Sequence, residues 1–186
     1  MATEPKAGLS YADLQGFPDD NLRRELIGGE LVVTPAPSTR HQRVVVALVV
    51  ALDAYGAPRG GQVYPAPTDV YFSDKDVVEP DVLYLKADNA GRIEPRFVRS
   101  APDLVVEVSS PSTRRLELVR KRRLYESYAV PEYWFVDLDA ERIEVYRLRE
   151  GGYGPPVLLE RGDLLESTDL PGLCIPVETV LGTSET

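Results

Sequence analysis

Leu104-Val105-Val106-Glu107-Val108-Ser109 is an apolar run with one acid inside it. So continuous a run of branched residues reads as a central strand covered on both faces. Glu107 therefore has apolar neighbours whichever way it points. Burying an ionised carboxylate there costs roughly several kcal/mol unless a cation or hydrogen-bond donors compensate. The following segment offers the cation. Pro111-Ser112-Thr113 breaks the strand and opens a helix expected over Thr113–Tyr128. At 100° per residue, Lys121 falls in the apolar sector with Leu118, Tyr125 and Tyr128. Arg115, Arg122, Arg123 and Glu126 lie on the other side. Lys121 is thus expected to point toward the sheet. The alternative is a stem packed on the core with its ammonium reaching solvent or pairing with Glu117.

Strand alternation puts Val105, Glu107 and Ser109 on one face and Leu104, Val106 and Val108 on the other. Within Val77–Leu85, the residues Asp81, Leu83 and Leu85 share a face. If the two strands are neighbours, ~4.8 Å apart, Asp81 and Glu107 become cross-strand partners. Two carboxylates so placed repel unless a cation sits between them. Asp103 also precedes Glu107, but four residues of strand put it ~13 Å away, too far to share an ion. Beside two such acids, a lysine can orient or deprotonate an attacking water, or stabilise charge developing at phosphorus. The combination points to a metal-dependent site for cutting phosphodiesters.

Outward from this centre, residues 1–20 read as a lead-in with a helix around Tyr11–Leu14. Glu25–Val33 carries Gly28-Gly29, a two-residue hairpin signal. Ser38 or Thr39 can cap a helix running to about Tyr55, with His41, Val44, Val45, Leu48, Leu52 and Tyr55 on one face. Gly56 and Pro58 stop it. Its valines make a strand the alternative. Thr68–Phe72 and Val77–Leu85 read as a hairpin about Ser73-Asp74-Lys75-Asp76, which sets Asp69 opposite roughly residue 80. Tyr133–Asp137 is apolar on both sides, as an interior strand or an oligomer interface would be. Arg142–Leu148, a short strand near Pro156–Leu159, the segment Leu170–Ile175 and a helical turn near Val180 complete the chain. The order helix, three strands, helix, strand predicts a mixed α/β sheet flanked by helices, in one domain over 1–186 with its core at about 25–140.

Composition narrows the chemistry. The 186 residues are 43% hydrophobic and 27% charged, ordinary for a globular protein. One histidine and one cysteine cannot build a His/Cys zinc site within one chain. A metal would be held by carboxylates and carbonyls, which favours Mg²⁺ or Mn²⁺. A Ser-His-Asp or Cys-His mechanism would rest on His41 alone, without a nucleophile-elbow glycine pattern. The longest apolar stretch, Val44–Leu52, falls short of the ~20 residues a membrane span needs. No apolar segment marks the N-terminus as a secretory signal, and the lone Cys174 fits a reducing compartment, so a cytoplasmic protein is expected. The net charge of −9 argues against a general nucleic-acid coat protein. Arg114, Arg115, Arg120, Lys121, Arg122 and Arg123 nevertheless cluster, and Lys86, Arg92, Arg96 and Arg99 precede them. They form either a local basic surface or a solvated face with Arg122 and Glu126 paired.

Several blocks resemble the Uma2 endonuclease family, a branch of the PD-(D/E)XK nuclease-like fold. They are Glu25-Leu26-Ile27-Gly28-Gly29-Glu30-Leu31, Ser38-Thr39-Arg40-His41-Gln42-Arg43, Ala66-Pro67-Thr68-Asp69-Val70, Glu79-Pro80-Asp81-Val82, Pro102–Thr113 and Val130-Pro131-Glu132-Tyr133-Trp134-Phe135-Val136-Asp137. Together they span most of residues 25–137. The resemblance implies a restriction endonuclease-like αβββαβ core, with an N-terminal hairpin and extra C-terminal strands. It implies Asp81 as the motif aspartate, Glu107 as the motif acid, and the Val108 carbonyl as a further metal ligand. It also implies one divalent metal, a homodimer or higher oligomer, and DNA as substrate, hydrolysed by a metal-bound water. The motif asks for Glu-x-Lys, whereas this chain has Glu107-Val108-Ser109. Some members of this fold carry the lysine on the following helix, which is where Lys121 lies. Glu25 or Glu30 would supply the additional acid this fold often uses. Asp69 would be a further ligand or support, or else a strand-edge polar residue. His41 would contact phosphate or water, or else bond a backbone group. Two rival expectations stand beside this one: an oligomeric binding module that kept the fold without catalysis, and a hydrolase of small phosphate-containing substrates.

Overall fold

The computed structural model describes residues 8–18, 20, 22–109 and 116–182, the side chain of Glu117 excepted. In chain order, the short helix α1 (Tyr11–Gln15) leads to the hairpin β1 (Arg23–Ile27) and β2 (Glu30–Thr34), followed by helix α2 (Thr39–Gly56). Strands β3 (Gln62–Pro65), β4 (Asp69–Ser73), β5 (Asp76–Val78), β6 (Val82–Leu85), β7 (Phe97–Arg99) and β8 (Leu104–Val108) come next. A wide π-helical turn at Leu116–Lys121 runs into α3 (Arg122–Ser127). Strands β9 (Glu132–Asp137), β10 (Arg142–Arg149), β11 (Gly152–Tyr153), β12 (Val157–Leu159), β13 (Leu164–Glu166) and β14 (Cys174–Pro176) lead to α4 (Val177–Leu181).

Two main sheets organise these elements. The first has the order β2-β1-β5-β4-β7; the second runs β11-β10-β9-β8-β6-β3, with β12 also on β10. The first is built on the Gly28-Gly29 turn, whose φ of 63° and 73° suits the two-residue hairpin read from the sequence. In the second, β6 meets β8 antiparallel and β8 meets β9 parallel. Both β8 and β9 are buried along their whole length, so the apolar-on-both-sides reading of each holds, and β9 is an interior strand.

Helix α2 forms where its stripe predicts. Ser38 caps it by accepting the His41 N–H at 3.2 Å. Val44, Val45, Leu48 and Leu52 pack on Val82, Leu104, Val106, Val108, Trp134 and Val136, one face of the second sheet. The valine content did not matter, because a stripe with so much to bury outweighs a few tenths of a kcal/mol of propensity, about 1.5–3 kcal/mol being at stake for each large side chain. The opposite face carries Leu83, Leu85, Val105, Tyr133 and Phe135, covered by Leu124 and Tyr125 of α3 and by Val70 and Val78 of the first sheet. No helix among the described residues is long and apolar enough to cross a membrane.

The strand reading needs correction between residues 62 and 85. Val77–Leu85 is not one strand. It breaks at Glu79-Pro80-Asp81, because Pro80 has no N–H for a ladder. Its first part, β5, stays with β4 in the first sheet, and its second part, β6, crosses to the second sheet. There it pairs with β3, a short strand the sequence reading did not contain. The core order of helix, three strands, helix, strand survives, with α2, β3, β6, β8, α3 and β9 filling it. The expected helix start at Thr113 lies outside the described residues.

Candidate active site at the seam of two sheets

The break at Pro80 is what builds the site. It carries Glu79 and Asp81 across from one sheet to the other, so their carboxylates lie at the seam. In the second sheet Val82 stands opposite Val106, and continuing that register sets Asp81 beside Glu107. From the first sheet, β1 contributes Arg23 and Glu25. From the helical side comes Lys121, whose side chain is only 2% exposed. Its ammonium lies 2.7 Å from Glu25 Oε1 and 2.9 Å from Glu107 Oε1. The inward reading of Lys121 is therefore the correct one, even though its turn is π-helical rather than α-helical.

Each acid is held by a different set of donors. Asp81 Oδ2 accepts the Val108 N–H at 2.8 Å and bonds His41 Nε2 at 3.1 Å, while Oδ1 accepts from the Arg23 guanidinium at 2.8 Å. Glu107 Oε1 accepts from Lys121 and from the Tyr125 hydroxyl. Glu25 Oε1 takes Lys121 and the Glu79 N–H. The second oxygens of Glu25 and Glu107 are buried without a hydrogen-bond partner.

Burial alone would raise the Asp81 carboxyl, but His41, Arg23 and Lys121 hold it well below the usual carboxylate range. Burial raises Glu107, and the neighbouring Lys121 offsets only part of that rise. Glu79 is pushed up to about 7 by burial, against the pull of Arg23. For Lys121 burial works downward, yet Glu107 and Glu25 outweigh it and keep the ammonium charged. The cluster thus separates one strongly acidic carboxylate from two reluctant ones, the kind of spread active sites build.

A cleft of about 440 Å³ is lined by Arg23, His41, Gln42, Glu79 and Asp81, among others. Glu107 and Lys121 lie behind these residues. Donor chemistry and charge both suit a hard divalent cation. Glu25, Glu79, Asp81 and Glu107, set against Arg23 and Lys121, leave a surplus of two negative charges when all are ionised. Two buried carboxylate oxygens are also free to bond. Among the described residues, no three His, Cys, Asp or Glu side chains already form a metal-holding group. The two cations instead occupy the middle of the acids. The Val108 carbonyl is a credible further donor. Continuing the β6–β8 register sets Pro80 beside it, and a proline ring has no N–H to offer.

Other expected participants lie elsewhere. Glu30 pairs with Arg120 at 2.6 Å on the surface, so of the two glutamates expected there only Glu25 joins the cluster. Asp69 belongs to the first sheet and accepts from the Tyr11 hydroxyl at 3.3 Å. The Ser109 hydroxyl accepts the Leu138 N–H at 3.0 Å, a structural task. His41 bonds the Asp81 carboxylate rather than a backbone group. Asp103 takes the Lys86 N–H and the Asn89 amide, well away from the cluster. The expected Arg122–Glu126 pair gives way to other contacts: Arg122 sits over the Tyr146 ring and Glu126 accepts the Tyr153 N–H. Arg23, Glu79 and Tyr125 were missed. Arg23 sits two residues before Glu25 on the same strand parity, Glu79 two residues before Asp81 at the strand break, and Tyr125 four residues after Lys121 in its helical sector.

Comparisons with known proteins bear on the family and the fold. A family model described as "Uma2: Putative restriction endonuclease" matches residues 10–178. The fold is similar to a crystal structure of a "putative nuclease belonging to DUF820" from Anabaena variabilis ATCC 29413. The TM-score is 0.78 at 17% identity, over 94% of this chain and 98% of that one. The α/β core is therefore restriction endonuclease-like. The curated proteins gave no match.

Two outcomes follow from the electrostatics. Lys121→Met leaves Glu25 and Glu107 buried without their shared cation, and should cost about 3–5 kcal/mol at pH 8 in urea unfolding. The loss should shrink toward pH 5, where Glu107, already raised by burial, takes up a proton. Glu79→Gln should instead stabilise the metal-free protein at pH 8 by about 2 kcal/mol, less than the full shift because the side chain keeps some solvent. Its folded carboxyl holds a proton to about 7 where an ordinary glutamate loses it near 4.5. Between those values the folded state binds more protons, so wild-type stability falls as pH rises. The gain from Glu79→Gln should vanish below the lower value, and a pH-independent gain would refute it.

Proposed function

The chain belongs to the Uma2 family, and with that as premise we propose that it is a divalent-metal-dependent endonuclease hydrolysing phosphodiester bonds in DNA. The observation that carries the reading is the convergence of Asp81, Glu107 and Lys121 at one seam, with Asp81 lining the cleft that leads to it. Mg²⁺ or Mn²⁺ would be held by Asp81, Glu107 and the Val108 carbonyl. When bound, the ion supplies a Lewis acid for the phosphate and a water of lowered pKa. The protein's own groups do the rest. Tyr125 and Lys121 fix one oxygen of Glu107, which leaves the other to face the site. Val108 N–H and His41 hold Asp81 by Oδ2 in the same way. Lys121 uses two of its three protons on Glu25 and Glu107, and the third can orient the attacking water or meet charge developing on a phosphate oxygen. Self-association belongs to the proposal. Val46 and Val50, more than 60% exposed on the outer face of α2, give an apolar surface for it.

A non-catalytic binding module is the second reading. It is favoured by one fact: every oxygen of Asp81 already has a protein donor.

The decisive assay is nicking of supercoiled plasmid with Mg²⁺, Mn²⁺ or EDTA by wild type, Lys121→Ala, Glu107→Gln and Asp81→Asn. Cleavage should need the metal. It should fall about 10²-fold or more in each variant, the two amide substitutions preserving shape. Activity that survives in Lys121→Ala would remove the lysine from the mechanism. A wild type that cuts nothing with either metal would favour the binding module.

A further inference from the structure

Asp81 has its open lone-pair site on Oδ1, where a guanidinium already occupies the other site. Oδ2 has two donors, the Val108 N–H and His41, both built into the fold. Oδ1 has one, the Arg23 guanidinium at 2.8 Å. The same guanidinium lies 3.7 Å from Glu25, 3.7 Å from Glu79 and 3.9 Å from Glu107. A cation within reach of four carboxylates stands where a divalent ion would gain most. Two cations drawing on the same charge at such distances repel, so each weakens the hold of the other.

The grip of Arg23 is also unlike that of a structural pair. Guanidinium–carboxylate pairs built for stability are commonly bidentate, with two short parallel bonds. Here one contact is a hydrogen bond and the other three are too long to be. The Nε of Arg23 is buried without a hydrogen-bond partner. The two cations of the cluster differ in freedom as well. Lys121 is sealed, at 2% side-chain exposure, whereas Arg23 keeps 23% and lines the cleft. Arg23 has a route out and Lys121 has none.

We propose that Arg23 is a displaceable counter-ion of the metal site. It neutralises Asp81 and its neighbours while no metal is bound, and metal entry drives it to release Asp81 Oδ1 and turn into the cleft. There the same guanidinium becomes a ligand for the anionic phosphate of the substrate. Arg23 therefore lowers metal affinity in the free protein and ties metal uptake to an occupied cleft. This inference rests on the metal-site reading of the proposed function.

The test is direct binding of Mn²⁺, read from the electron paramagnetic resonance signal of the free ion at pH 8. It compares the wild-type chain with Arg23→Gln, Arg23→Lys and Glu107→Gln, folding being checked by circular dichroism. Arg23→Gln should bind Mn²⁺ about tenfold or more tightly than wild type, since one positive charge near the ion has gone. Arg23→Lys keeps a charge but not the guanidinium fork, and should bind a few-fold more tightly. It also serves as the measured variant if Arg23→Gln does not fold without metal. Glu107→Gln should lose binding. Equal or weaker Mn²⁺ affinity in both Arg23 variants, with binding still lost in Glu107→Gln, would overturn the counter-ion role and leave the metal site standing. Absence of Mn²⁺ binding in wild type and both Arg23 variants alike would overturn both.

Discussion

A buried ammonium between two carboxylates holds this site together. Lys121 reaches Glu25 from one sheet and Glu107 from the other, so a single charge ties β1, β8 and the helical segment before α3. None of the three groups is stable alone in that position. Each ion would lose its hydration, and only the others return the energy. Folding of the two sheets against each other and assembly of the acidic cluster are therefore one event. Without Lys121 the apolar faces would have to pack with Glu25 and Glu107 left to the longer contacts of Arg23, at 3.7 and 3.9 Å.

The same constraint shapes what the protein can bind. The acids are sunk at the seam, and access is through a cleft whose wall carries Arg23, His41 and Gln42. A chain of net charge −9 has little long-range attraction for nucleic acid. Much of its basic surface is also already engaged: Arg120 with Glu30, Arg99 with Glu94, Arg24 with Asp20, and Arg92 with the Ala101 carbonyl. Any phosphate reaching the seam must be held by groups close to it. That gives the mobile charge of Arg23 a weight that a dispersed basic surface would not have.

How much of this was legible in the sequence depends on range. The acid in β8 declares itself because an apolar run makes a lone carboxylate conspicuous, and Lys121 because helical spacing is a local rule. The partnership of Asp81 with Glu107 follows from strand parity once the strands are neighbours. Strand β3 was invisible: Gln62–Pro65 is short, ends in proline and follows Gly60-Gly61, so no alternation marks it. The division into two sheets was hidden for a related reason. Val77–Leu85 reads as one hydrophobic strand, and only the missing ladder N–H at Pro80 shows that it must change partners. Arg23 was missed because its meaning is set by four acids, three of them more than fifty residues away, and in Leu22-Arg23-Arg24-Glu25 only its parity with Glu25 sets it apart from Arg24. The outcome separates the two: Arg24 turns to Asp20 at the surface and Arg23 to the seam.

The departure from Glu-x-Lys has a structural cause. Position 109 follows the end of β8, where the Ser109 N–H bonds Val136 O and its hydroxyl accepts the Leu138 N–H. That small acceptor fastens the ends of two parallel strands, and the site is buried to 1% exposure. A lysine there has no acceptor to offer, and its charge would have to escape from the interior. With position 109 committed to the strand ends, the cation beside Glu107 comes from another element. The turn at Leu116–Lys121 supplies it: a π-helical segment is wider than an α-helix, and such turns recur where a side chain must be re-aimed at a site. A lysine carried by that turn can also touch Glu25 of the other sheet, which makes the acidic cluster part of the contact between the sheets.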